Sequence, residues 1–395
     1  MDQKHEQHLM NTYQRLNVAF ERGEGVWLWD MEGKKYLDAL AGIAVTVLGH
    51  ANPAVTQAIQ QQASKILHTS NLYHIPKQTE LANELSRLSG LDQAFFCNSG
   101  AEALETALKL IRLYGHSIDI EFPQVIVMQG AFHGRTFATL SAGGNTKVQA
   151  GYDPLVPGFI RVPFNDIEAI LRIADTHSDV AAVLLEPIQG EGGIQVPSDD
   201  YLVKVRDICD TNGWLMAIDE VQTGMGRTGS LFNYQAHGIL PDILSLAKGL
   251  ANGIPIGACI AKKEVGDLFK PGKHGSTFGG NPLACSAALA TLKEIEKHKL
   301  WENAKKQGDA LLKGLNTKLE KHPHVKGIRG KGLMIGIELD KPCRDILPLA
   351  LKQGLLFNVT RDTVIRLVPP LILGDEHVKT IIDTLPLLID QFYSN

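Results

Sequence analysis

Short apolar runs punctuate the middle of this chain, and nothing else in the sequence restricts its fold so tightly. Gln124–Met128 (QVIVM), Val180–Leu185 (VAAVLL), Trp214–Ile218 (WLMAI), Ile243–Leu246 (ILSL) and Gly257–Ala261 (GACIA) show little polar–apolar alternation. Strands of that kind need cover on both faces. Stretches with helical periodicity lie between them, such as Asp199–Asn212, with Leu202, Val205 and Ile208 on one side. Gln93–Cys97 (QAFFC) adds a strand ahead of a helix beginning near Ala101. The pattern predicts an α/β fold, a mainly parallel sheet with helices on both faces. Asn281–Lys299 reads as a long helix, after which the units shorten: a helix to about Lys321, a strand around Leu333–Glu338, another helix, and a strand at Val364–Val368. Near the start, Trp27-Leu28-Trp29-Asp30 and the turn Glu32-Gly33 read as a hairpin. The expected organisation is a large domain over 48–290 and a smaller α+β domain built from 1–47 and 291–395.

Size and charge narrow the function. At 395 residues the chain exceeds one small core, and its 44% apolar and 21% charged residues are those of an ordinary globular protein. A net charge of −4 without a basic stripe gives no attraction to nucleic acid or to an anionic membrane. The segment Met1–Gln14 lacks the basic and apolar regions of a signal peptide, and no run of about 18 apolar residues occurs. Cys97, Cys209, Cys259, Cys285 and Cys343 form no CxxC pairs and read as buried thiols of a reducing compartment, so a cytoplasmic protein is expected. His5 with His8, and His322 with His324, lie in polar contexts without companion ligands and are expected to be solvated; no metal site is expected.

Three features carry chemistry. Ala217-Ile218-Asp219 puts a carboxylate at the C-terminal end of a strand, where open α/β sheets bind ligands. Alone, Asp219 reads better as a surface residue capping a loop. Ser245-Leu246-Ala247-Lys248 puts a lysine after the next strand. Alone, Lys248 could snorkel to solvent, but if buried it must be neutral or covalently engaged. Together the two suit pyridoxal 5'-phosphate (PLP): a carboxylate keeps the pyridine nitrogen protonated, and a lysine forms an imine with the aldehyde and moves protons. Asn98-Ser99-Gly100-Ala101 lies between a strand and an amphipathic helix, where free N–H groups and the helix dipole can hold a phosphate. Ser99 could also be a plain N-cap.

At these positions the sequence resembles the class III (ω-amino-acid) PLP-dependent aminotransferases, over nearly its whole length. The resemblance runs through LWDMEGKKYLDALAGIAVTVLGHANP (28–53), SNLYHIPKQTELA (70–82), FFCNSGAEA (95–103), AFHGRTFATLSA (131–142), EPIQGEGG (186–193), AIDEVQTGMGRTG (217–229), PDILSLAKGLANGIPIGA (241–258), HGSTFGGNPLACSAAL (274–289) and RLVPPL (366–371). It implies PLP fold type I, with a mainly parallel seven-stranded sheet in the large domain. It implies that Lys248 carries PLP, Asp219 pairs with the ring nitrogen, Phe132 stacks on the ring and Gln222 meets the phenolic oxygen. Ser99, Gly100 and Ala101 are implied at the phosphate, with Glu220 and Val221 among the cofactor contacts. Thr277 is implied to reach the phosphate of a partner subunit, with Ser276 beside it at the substrate, which makes the active unit a homodimer. Arg135 is implied to grip the α-carboxylate of an ω-amino substrate, and Arg366 that of glutamate or 2-oxoglutarate, with Glu191 neutralising Arg366 in between.

The resemblance favours N2-acetyl-L-ornithine as donor and 2-oxoglutarate as acceptor. Ile43 stands where ornithine aminotransferases usually carry a tyrosine, which disfavours free ornithine. Succinylornithine, N-succinyl-diaminopimelate and 4-aminobutyrate remain open, as does an aminomutase that uses no external acceptor. Gly224-Met225-Gly226-Arg227-Thr228-Gly229 matches the GxGxxG of nicotinamide enzymes, but no convincing long helix follows, so a nicotinamide oxidoreductase is the weaker reading. These glycines are expected in a tight loop beside the PLP ring. A non-catalytic scaffold on the same fold would have lost Lys248 or Asp219, and both are present.

Overall fold

The computed structural model describes residues 8–394; His5 lies outside the described residues. Three strands open the chain as an antiparallel meander, β1 (Phe20–Glu24), β2 (Trp27–Asp30) and β3 (Lys35–Asp38). The expected hairpin is β2–β3. Its turn is held by Asp30, whose Oδ1 accepts from the N–H groups of Glu32 (3.1 Å) and Lys34 (2.8 Å), while Gly33 supplies a φ of +81°.

Seven strands build the central sheet: β4 (Gln93–Cys97), β5 (Gln124–Met128), β6 (Phe159–Val162), β7 (Val180–Leu185), β8 (Leu215–Asp219), β9 (Ile243–Leu246) and β10 (Gly257–Ala261). Their order is β4-β10-β9-β8-β7-β5-β6. β10 runs antiparallel to both β4 and β9, and the other neighbours are parallel. Six strands therefore point one way and deliver their C-terminal ends to one edge. This is the mainly parallel sheet expected from the apolar runs, with the seven strands that the resemblance implies, and every residue of β7 is buried. Burying a Val or Leu side chain of this kind contributes about 1.5–3 kcal/mol. β8 lies one residue later than Trp214–Ile218, so that Asp219 is itself the last residue of the strand.

Ser99 starts the helix Gly100–Ser117, which lays Leu104, Ala107, Leu108 and Ile111 against the sheet. The helix expected at 281–299 is Pro282–Lys297, capped by Asn281, and a second helix, Leu300–Leu319, follows it. Beyond that come β11 (Val325–Lys331), β12 (Met334–Leu339), β13 (Leu355–Leu356), β14 (Asn358–Thr360) and β15 (Val364–Leu367). β11-β12-β15-β14 is an antiparallel sheet, whereas β13 pairs in parallel with β3, Leu355 opposite Leu37. Segments from the two ends of the chain thus share a sheet. Among the described residues no helix is long and apolar enough to cross a membrane. All five cysteines are buried and free.

Two expectations need correction. The Gly224–Gly229 loop does not face the cavity described below. Gly226 (φ +90°) packs where a Cβ would lie 3.1 Å from Leu371 Cδ1, and at Gly229 (φ +97°) a Cβ would lie 3.2 Å from Lys305 Cβ. Its glycines serve a close approach of the loop to the C-terminal part of the chain, and only a five-residue 3₁₀ turn follows, at Asn233–His237. His322 and His324, expected to be solvated, are instead anchored. His322 Nε2 meets Asp390 at 3.1 Å, and His324 Nδ1 meets Asp340 at 2.8 Å while its ring stacks on Tyr393 with centroids 3.7 Å apart.

Candidate active site

The shared edge of the central sheet opens into a cavity of about 460 Å³. Asp219 ends β8 there, and Lys248 follows β9 after a single alanine, at a left-handed φ of +41°. β4 hands over to Asn98, Ser99 and the helix beginning at Gly100; the loop after β5 brings Phe132, His133 and Arg135; the turn after β7 brings Glu186 and Glu191. Val221 and Gln222 complete this wall. The fold therefore gathers Asp219, Lys248, Ser99, Gly100, Ala101, Phe132, Arg135, Glu191, Val221 and Gln222 around one space, as expected.

Asp219 is fixed from two sides. Its Oδ2 lies 2.8 Å from His133 Nδ1, and its Oδ1 accepts from the Val221 N–H at 3.0 Å. Burial works against a charged His133, but the hydrogen bond and charge of Asp219, helped by Glu186, outweigh it and raise its pKa. His133 Nε2 is buried without a hydrogen-bond partner among the described residues. Lys248 is the opposite case. Burial lowers its pKa although Glu191 and Asp219 pull the other way, which shifts the group toward the neutral amine that imine formation needs. Glu186 is pushed up to about 7, by burial first and then by the Asp219 charge. Its oxygens accept from the N–H groups of Phe132 (2.9 Å) and Gly190 (3.0 Å).

Arg366, on β15, is fully buried behind this wall. Nη1 donates to Glu191 Oε1 at 2.5 Å and to Gln222 Oε1 at 3.3 Å, Nε donates to Asn358 Oδ1 at 3.0 Å, and Nη2 has no partner among the described residues. Burial would raise the Glu191 pKa, but Arg366 more than offsets it and the carboxylate is held below its ordinary range. Glu191 thus stands between Arg366 and the cavity. Arg135 is exposed at the mouth, its Cζ 5.6 Å from the centroid of the Phe132 ring.

Glu220 does not join the site. Its carboxylate turns inward and accepts from the N–H groups of Asn233 (2.8 Å) and Tyr234 (3.0 Å) and from Thr223 Oγ1 (3.2 Å). Alternation along the chain sends neighbouring side chains to opposite sides, so when Asp219 faces the cavity Glu220 faces away. Ser276 and Thr277 do not line the cavity either. Ser276 Oγ accepts from Gly279 N–H (2.9 Å) and Asn98 Nδ2 (3.3 Å), and Thr277 is exposed. His133 and Glu186 were not singled out from sequence. Glu186 follows the run VAAVLL just as Asp219 ends its own strand, so the rule that identified one carboxylate applies to the other.

The donor set fits PLP. The first N–H groups of a helix have no intrahelical carbonyl to reach, so those of Gly100 and Ala101 are available to a phosphate. The backbone there is closely backed, since a Cβ at Gly100 would lie 2.8 Å from Val221 Cγ1. Asp219 suits a protonated ring nitrogen, and the Lys248 amine, its pKa lowered by burial, suits an aldehyde.

Comparisons with known proteins agree in kind. Residues 9–389 match the family model described as Aminotransferase class-III. A relative from Nitrosomonas europaea, named acetylornithine aminotransferase, is 52% identical over 385 residues, covering 98% of each chain. The crystal structure of the ornithine aminotransferase from Toxoplasma gondii superposes with a TM-score of 0.95 at 32% identity, covering 99% of this chain and 94% of that one. The acetylornithine aminotransferase structure from Elizabethkingia anophelis gives 0.89 at 36% identity, with 98% and 97% covered.

Proposed function

Because the chain belongs to the class-III aminotransferases, which work with PLP, we propose that it moves the terminal amino group of N2-acetyl-L-ornithine to 2-oxoglutarate. The products are N-acetylglutamate 5-semialdehyde and L-glutamate, a reaction serving arginine biosynthesis. One observation carries the reading: Lys248 and Asp219 share a cavity with Glu191, whose carboxylate caps the buried Arg366 behind it. A site that must accept two donors in turn, one through its ω-amine and one through its α-amine, needs such a clamp to be closed for one and open for the other.

When bound, PLP supplies an electron sink and a carbon that carries nitrogen from one half-reaction to the next. Lys248 Nζ would anchor it and, once released, would be the base that holds and moves the proton of the donor's amine-bearing carbon. Asp219 keeps the ring nitrogen protonated, and His133 orients that carboxylate. Phe132 offers a ring face, and Gln222, its Oε1 taken up by Arg366, has amide N–H groups left for the phenolic oxygen. Ser99, Gly100 and Ala101 hold the phosphate. Arg135 takes the α-carboxylate of the acetylated donor, and Arg366 takes that of glutamate once Glu191 swings aside. Ile43, two residues from Val45 on the cavity wall, has no hydroxyl to hold the free α-amine of ornithine.

The same reading has the chain act as a homodimer, with Ser276 and Thr277 completing the partner's site. Support comes from Thr277 lying exposed outside its own cavity, and from exposed apolar side chains in neighbouring segments, Leu72 (85%), Tyr73 (69%) and Phe278 (60%). The division into a cofactor-binding body over 48–290 and a second body from 1–47 and 291–395 remains our proposal, supported by the β3–β13 pairing. Buried free thiols support the cytoplasm as its location. A panel of ω-amines with 2-oxoglutarate tests the substrate: N2-acetyl-L-ornithine should give the highest kcat/KM for glutamate formation. A higher value for free ornithine, or turnover without 2-oxoglutarate, would overturn it.

A further inference from the structure

The loop that carries Glu191 is gripped at four consecutive carbonyls by the C-terminal sheet. Thr360 Oγ1 donates to the Glu191 carbonyl at 2.6 Å, and Arg361 Nη1 to that of Gly192 at 3.3 Å. Arg329 donates to Gly193 from Nε (3.0 Å) and Nη2 (2.6 Å), and to Ile194 from Nε (2.9 Å). Its Nη1 donates to Glu338 at 2.6 Å, which fixes the plane of the guanidinium. The neck of the loop is closed by a reciprocal pair, the N–H of Gln189 to the carbonyl of Gln195 and the reverse, both 3.1 Å. Within the loop Gly193 takes a φ of +93° and Ile194 of +52°, the latter a conformation that a β-branched residue adopts only when its surroundings impose it. The Glu191 side chain is different. It is 36% exposed, and its carboxylate is bonded to Arg366.

We propose that Arg329 and Thr360 are positioning residues for Glu191: they pin its backbone, so that the cap on Arg366 opens and closes by side-chain rotation alone. This rests on the reading of Glu191 as the cap that clears Arg366 for glutamate. Neither residue touches the cavity, and each acts only through the loop. Releasing the carbonyls lets the backbone drift, Glu191 spends less time on Arg366, and the exposed arginine admits the α-carboxylate of glutamate more readily while the ω-amine donor gains nothing.

The test uses the PLP-loaded holoenzyme and follows loss of the visible cofactor band in single half-reactions with L-glutamate and with N2-acetyl-L-ornithine. Arg329→Gln and Thr360→Val should each raise the ratio of kcat/KM for glutamate to that for the ω-amine donor by about three- to tenfold, mainly through KM for glutamate. Hydrogen exchange at the amides of 190–194 should speed up in both variants. If Arg329→Gln fails to fold, Thr360→Val decides the matter, because it removes one hydroxyl and keeps the shape. Glu191→Gln is the reference for the underlying reading. If Glu191→Gln shifts the ratio and the other variants leave it unchanged, or slow both donors equally, the positioning role is overturned and the cap stands. If Glu191→Gln leaves the ratio unchanged, the cap and the positioning role fall together.

Discussion

Asp219 and Glu220 are neighbours with opposite surroundings, and the difference sets what each can do. Asp219 faces the cavity and shares a hydrogen bond with His133. Glu220 is sealed inside, where burial pushes its pKa from an ordinary 4.5 up to about 7. A raised acid binds its proton in the folded chain at pH values where the unfolded chain has lost it. Between about 4.5 and 7, therefore, its contribution to stability falls as pH rises, and above that window it is flat. Glu220→Gln carries no such titration. The stability lost through the substitution, measured by denaturant unfolding, should be about 2 kcal/mol larger at pH 5.5 than at pH 8. An equal loss at both pH values would mean that Glu220 titrates normally. The sequence made the carboxylate–lysine pair legible because apolar runs mark strand ends and strand ends face ligands. It could not separate Asp219 from Glu220 by type, only by the alternation that follows from knowing where β8 stops. His133 was hidden for another reason: its role depends on a contact with Asp219, 86 positions away.

At the scale of elements, the helix Gly100–Ser117 shows how tightly the phosphate end is built. Its first residue must be glycine because a Cβ would sit 2.8 Å from Val221 Cγ1 and 3.5 Å from Ala247 Cβ, both on segments that carry site residues. Gly100→Ala forces those segments apart. It should weaken retention of PLP about tenfold, the equivalent of ~1.4 kcal/mol, as read by equilibrium dialysis of the apoenzyme against the cofactor. Unchanged retention would show that the backbone there is not close-packed against the cofactor's phosphate. Six strands of the central sheet were readable from their apolar runs, and so was the long helix at Pro282; β6 was not, since FIRV is short and carries an exposed arginine. β11 was not, since VKGIRGK has two glycines and three cations and owes its strand to the ladder with β12. The antiparallel sense of β10 was equally invisible. GACIA is as apolar as its neighbours, and direction is set by the connection, which is too short for a crossover helix. The Gly224–Gly229 motif misled about place because glycine reports a close approach without naming what approaches.

The whole molecule is proposed to be one half of a working unit. If Thr277 of one subunit serves the site of the other, two inactive variants should complement each other. Lys248→Ala lacks the anchoring lysine, and Thr277→Asp puts a negative charge at the partner's phosphate. Mixed and reassembled in equal amounts, half of the dimers are mixed, each with one intact site, so about a quarter of the wild-type activity should return. No recovery from folded, exchanging subunits would place Thr277 outside the partner's site. Size-exclusion chromatography with light scattering should report twice the 43.1 kDa of one chain. The account as a whole depends on the amine at the end of β9 and on its bond to the cofactor. Borohydride reduction of the holoenzyme followed by peptide mapping measures that bond directly. The expected result is one phosphopyridoxyl adduct, on the peptide containing Lys248; an adduct on another lysine, or none in a protein that binds PLP, would contradict the account.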